Sequence, residues 1–124
     1  MLARMRARAL CLGFAFALAL VAPLPASAGR VTGVARVVLE PEGARIEPGE
    51  ILVAPSTDPG WTPLFLTAGG LVMEMGGAMS HGSVVAREYG IPAVVGVPLA
   101  TTRIVTGQRI TVDGGAGTVT IEAG

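Results

Sequence analysis

The chain holds one cysteine, one histidine and, among its basic residues, only arginine, and each scarcity removes a class of function. Cys11 has no second thiol to pair with, which excludes an internal disulfide and a thiolate metal site. The nine arginines balance nine acids, and those after the leader are scattered along the sequence, so there is neither the basic patch of a nucleic-acid binder nor an acidic tail. Nucleic acid is therefore not an expected ligand. Aromatics make up only 4% of the chain, whereas glycine and proline together number 18 and 9, a balance that favours short strands joined by tight turns. At 124 residues there is room for one domain with one modest core. Chemistry of several steps would have to borrow a partner.

Residues 1–28 read as a leader. Arg4, Arg6 and Arg8 form a basic start, Ala9 to Ala22 an apolar run, and Ala26-Ser27-Ala28 a small-residue cleavage site, the pattern of a secretory signal. The run stops at Pro23, too short for an ordinary membrane-spanning helix, so no stable span is expected. A remnant helix or an extension from a misplaced start codon gives the same composition.

From residue 29 onward the pattern is that of alternating short elements. Val31 to Leu39 is rich in β-branched residues and predicts a strand, bulged near Gly33. Glu50 to Ala54 and Leu71 to Met75 are almost wholly apolar, as strands buried on both faces are. Between them Asp58-Pro59 opens a helix expected to run to about Thr67. Ala93-Val94-Val95 predicts another strand, Thr101 to Val105 a brief helix or turn, and Arg109 to Asp113 with Thr118 to Glu122 a hairpin with one buried face.

The stretch Gly76-Gly77-Ala78-Met79-Ser80-His81-Gly82-Ser83 joins the Leu71 strand to a helix expected from Ser80 to Tyr89, with Gly90 as its C-terminal cap and Pro92 beyond. Ser80 is placed to cap that helix with its hydroxyl on an amide near Gly82 or Ser83. Free amides and the positive end of the helix dipole then gather around His81, a site for an anion. A neutral imidazole is a nucleophile; attack on a phosphoryl donor would give a phosphohistidine whose oxygens the amides of Gly82 and Ser83 and the Ser83 hydroxyl could receive. On the same reading Gly82 keeps space open beside the ring. A lone histidine after a Gly-Gly turn is also commonly just a hydrogen-bonded surface residue. Other chemistry finds little support: Ser56, Thr57 and Ser83 lack a second histidine to act as base, and Asp58, Glu74 and Asp113 match no metal-binding loop.

The whole run from Gly76 to Val94 resembles the signature of the mobile phosphohistidine domain of phosphoenolpyruvate-utilising enzymes. Ile51 to Phe65 is similar to the stretch upstream of that signature, Gly107 to Gly114 to its closing hairpin, and Pro25 to Gly33 to its usual entrance. The resemblance implies an α/β fold, a compact swivelling β/β/α domain with short strands and two or three short helices over residues 29–124. It implies that His81 is phosphorylated on Nε2, with Ser80, Gly82 and Ser83 on the phosphate. It implies partners in trans: an ATP-binding nucleotide-grasp domain carrying ATP and Mg2+, and a domain for phosphoenolpyruvate, pyruvate or another acceptor. No cofactor or metal is expected on this domain itself. Met79 stands where many members carry a hydroxyl, and Gly82 where alanine or serine is commoner. An ATP-dependent relay favours the cytoplasm, which competes with export after cleavage near Ala28; a non-catalytic module that keeps the fold is the alternative function.

Overall fold

The computed structural model describes residues 24–77 and 79–122, so residues 1–23 of the expected leader lie outside the described residues. Seven strands form one mixed sheet: β1 (Leu24–Ser27), β2 (Arg30–Val37), β3 (Ile51–Ala54), β4 (Gly70–Met73), β5 (Ala93–Val95), β6 (Arg109–Asp113) and β7 (Thr118–Ile121). Their order is β1-β5-β4-β3-β2-β6-β7. The neighbours β2, β3, β4 and β5 run parallel, while β1, β6 and β7 are antiparallel to the strands they join.

Because side chains alternate across a strand, the apolar central strands feed two cores. Leu52, Ala54, Leu71, Met73, Ala93 and Val95 point to one face, where they meet Trp61, Leu64, Phe65, Ala86 and Ile91 of the helical segments. Ile51, Val53, Val72 and Val94 point to the other, where they meet Ile110 and Val112 of β6 and Val119 and Ile121 of β7. The hairpin reaches that face because β2 changes partner along its length: Arg30 to Val34 pair with β6, and Ala35 to Val37 with β3. The sheet thus curls into a half-barrel with helices outside, the β/β/α layering expected.

The helices are short. A 3-10 turn at Pro59–Trp61 leads into α1 (Thr62–Phe65), α2 is His81–Tyr89 and α3 is Ala100–Arg103. Asp58 Oδ1 accepts from the Gly60 amide at 2.8 Å, the capping role its place before Pro59 suggests. Gly90 closes α2 at φ 72°, a left-handed position that glycine takes without strain. Two details differ from the sequence reading. The β2–β6 register advances residue by residue past Gly33, so the bulge is not there; it lies in β1, between Pro25 and Ser27. Moreover β1 falls on the leader side of residue 28: Ala26 is buried, and the chain from Ser27 to Gly29 packs against the β6–β7 turn.

That last contact is very close. The Gly114 amide donates to the Gly29 carbonyl at 2.7 Å, and a Cβ on Gly114 would stand 1.7 Å from the Ser27 carbonyl oxygen. Backbone would have to give way, so Gly114→Ala should cost about 3 kcal/mol in a urea titration, the upper range for overpacking; a loss below about 1 kcal/mol would mean that the turn does not abut β1.

On the outer surface Arg36 of β2 holds Glu50 with two bonds, Nε to Oε1 at 3.0 Å and Nη2 to Oε2 at 2.9 Å. These bonds are the main reason the Glu50 carboxyl sits below the ordinary glutamate range; burial opposes the shift, and the Glu47 amide adds to it. A lowered folded value means that the unfolded chain binds the extra proton. The pair's contribution is full above the ordinary glutamate range and fades as the pH falls through it towards the lower folded value. The stability gap between wild type and Glu50→Gln should therefore shrink between about pH 6 and about pH 3; a gap constant over that range would contradict the assignment.

Candidate functional site

Parallel strands β3, β4 and β5 end on the same edge of the sheet, the edge at which open α/β sheets bind ligands. The chain leaving β3 passes through Thr57, and the chain leaving β4 turns at Gly76-Gly77 and enters α2 at His81. His81 is half-buried. Its Nδ1 lies 3.0 Å from Thr57 Oγ1, and its ring meets the buried Phe65 edge to face, with centroids 6.0 Å apart and planes at 83°. Those two contacts hold the ring by Nδ1 and by its packing on Phe65, and leave Nε2 as its unengaged nitrogen among the described residues.

Ser80 is the N-cap residue, in extended conformation, and its carbonyl accepts from Val84 N at 3.0 Å. The amides of His81, Gly82 and Ser83 precede that first helical bond and have no intrahelical acceptor. The Ser80 hydroxyl does not cap them, as the sequence reading had it. It lies 2.8 Å from the Gly77 carbonyl and 3.1 Å from Ser83 Oγ, while Ser83 Oγ donates to the same carbonyl at 2.7 Å. Ser80 N reaches that oxygen too, at 3.0 Å. One carbonyl therefore gathers three donors from the helix start, which pins the Gly-Gly turn.

Ser83 is fully buried in doing so, and its hydroxyl faces the turn; its amide belongs to the open first turn. Gly82 is buried and does not border open space: a Cβ there would come within 2.6 Å of Met73 Cε, 2.7 Å of Met73 Sδ and 3.0 Å of Thr57 Oγ1. Met79 is 82% exposed and points away from this packing. Further along the edge, the Glu74 carboxylate takes both the amide and the hydroxyl of Thr101, which fixes the start of α3 beside the end of β4. Among the described residues no group of three or more histidine, cysteine or acidic side chains is placed to hold a metal ion.

The residues that sequence spacing links, Ser80 to Ser83, are together by construction. Thr57 was missed as a partner of His81. Only the adjacency of β3 and β4 brings it there, and the available signal was that both residues follow buried strands of the same kind.

The family model described as "PEP-utilising enzyme, mobile domain" matches residues 46–117. This chain belongs to that family. Curated relatives agree: it is 58% identical over 98 residues to a rifampicin phosphotransferase of Bacillus cereus, covering 79% of this chain and 11% of that protein. A probable phosphoenolpyruvate synthase of Staphylothermus marinus is 47% identical over 103 residues, covering 81% of this chain and 12% of that one. Among solved structures, an Enzyme I protein determined by NMR is 30% identical with a TM-score of 0.56, covering 64% of this chain and 33% of its own. The chain spans about a tenth of the length of these two curated relatives. Among the described residues no helix is long and apolar enough to cross a membrane.

The three-donor arrangement at Gly77 sets a measurable contribution for Ser83. Ser83→Ala in this mobile domain removes a buried hydroxyl and leaves the carbonyl its two Ser80 donors, so it should lower stability by about 1 kcal/mol in urea denaturation, the ordinary worth of one such bond. No loss at all would mean that Ser83 is not part of the clasp.

Proposed function

We propose that this domain is a phosphoryl carrier in which His81 is the group that is transiently phosphorylated. The observation that carries the reading is the combination at one ring: a half-buried imidazole engaged through Nδ1, with Nε2 left over, at the start of a helix whose first amides lack acceptors. In the transfer the Nε2 lone pair forms the N–P bond while the P–O bond of the donor breaks, its electron pair leaving with the donor oxygen. The amides of Gly82 and Ser83 would receive the phosphoryl oxygens, with Ser80 at their side; the negative charge that arrives is the charge a helix N-terminus favours. Membership of the family supports the reading, as do relatives named as phosphotransferases.

The chemistry at both ends of the relay belongs to other domains. ATP and Mg2+ would be bound by a nucleotide-grasp domain, and the phosphoryl group would pass to phosphoenolpyruvate or pyruvate chemistry, or to another acceptor, on a further domain. The relatives carry such extra length in one chain, and partners in trans would do the same work here. A relay fed by ATP places the domain in the cytoplasm.

The test is direct. Incubated with radiolabelled ATP, Mg2+ and the Bacillus cereus relative stripped of its own mobile domain, the wild-type chain should gain acid-labile, base-stable label, the signature of a phosphoramidate. His81→Ala should gain none, and equal labelling of the two would overturn the proposal.

A further inference from the structure

The hydroxyl of Thr57 stands between two groups that can accept its hydrogen bond. His81 Nδ1 is 3.0 Å from Thr57 Oγ1 on one side, and the thioether sulfur of Met73 is 3.7 Å away on the other. A threonine hydroxyl has one proton to give. If it goes to Nδ1, the ring must carry its own proton on Nε2, and the nitrogen that faces outward has no lone pair to offer. If it goes to the sulfur, Oγ1 turns its lone pairs to the ring, Nδ1–H donates to it, and Nε2 is bare. The second arrangement makes a hydrogen bond of both contacts, whereas the first leaves the sulfur idle.

Met73 is 1% exposed, the last residue of β4, and its position beside Thr57 depends on a neighbour without a side chain. The space a Cβ on Gly82 would fill is the space that Met73 Sδ and Cε occupy, at 2.7 and 2.6 Å. Glycine at 82 is thus what admits the thioether to the hydroxyl.

We infer that Met73 is a positioning residue for His81: by accepting the hydrogen bond of the Thr57 hydroxyl it leaves Thr57 Oγ1 to accept from Nδ1–H and so presents Nε2 as the free nucleophile. The inference rests on the phosphoryl-carrier reading for its purpose. In that role the ring attacks with Nδ1–H retained, so no proton has to leave it as the N–P bond forms. When the phosphoryl group departs, the same tautomer is restored.

The test reads the tautomer itself in the unphosphorylated chain, from the 15N shifts of the His81 ring at about pH 8, where histidine side chains are ordinarily neutral. Wild type should show a predominant Nδ1–H form. Met73→Leu keeps the volume and loses the acceptor, and should shift the tautomer ratio towards Nε2–H by about two- to fivefold, the population change of one weak hydrogen bond. Gly82→Ala keeps Met73 but pushes its thioether aside, and should shift the ratio the same way, so the inference stays testable if Met73→Leu folds poorly. Met73→Gln, which returns an acceptor oxygen, should restore Nδ1–H where a merely structural role for Met73 would not. A predominant Nε2–H form in the wild type, or a ratio unmoved by both Met73→Leu and Gly82→Ala, would overturn the inference. Absence of label on His81 with these shifts intact would instead overturn the carrier reading and leave the positioning role standing.

Discussion

Pairing of β4 with β3 on one side and β5 on the other, all three parallel and all three buried on both faces, is the constraint from which the rest follows. Parallel neighbours finish on the same edge, so whatever the chain does after each strand is done within a few ångströms of what it does after the others. Thr57, His81 and the Glu74–Thr101 contact all lie on those continuations. A slip of one residue in β4 would exchange Met73 with Val72 between the two cores and remove the sulfur from Thr57.

At the start of α2 the side chains and the backbone have separate tasks. The hydroxyls of Ser80 and Ser83 turn inward to the Gly77 carbonyl, and the first-turn amides are left unclaimed by the residues that most often claim them. A helix start is commonly satisfied by its own cap, which closes it to other anions. Here the cap residue stabilises the preceding turn instead, and the positive end of the helix stays open on the side where the imidazole stands.

Much of this architecture was legible in the sequence. The apolar runs at Ile51, Leu71 and Ala93 read as buried strands because they are short, nearly continuous and bounded by glycine or proline. Gly90 and Pro92 marked the end of α2, and the alternation after Arg109 marked the hairpin. The mobile-domain signature around His81 led to the family that the comparisons identify. What could not be read was anything decided by packing at a distance. Thr57 lies 24 residues from His81 and meets it only through strand adjacency. The role of Gly82 depended on a methionine nine positions earlier, and the direction of the Ser80 hydroxyl depended on where the Gly77 carbonyl would point. The strand at Leu24–Ser27 was hidden for a different reason: its small residues serve equally well as a cleavage site and as an edge strand that must lie close to a glycine turn.

Arg87, in the last turn of α2, donates to the carbonyl of Ala26 in β1 at 2.8 Å. The helix that begins at His81 is therefore fastened at its far end to the first described strand of the domain, which is itself laced to β5. A pull on β1 would be carried into the sheet and into the last turn of the helix at Arg87, about 9 Å of helical rise from His81. The leading strand is thus held by strand pairing with β5 and by the end of α2 that lies away from the imidazole.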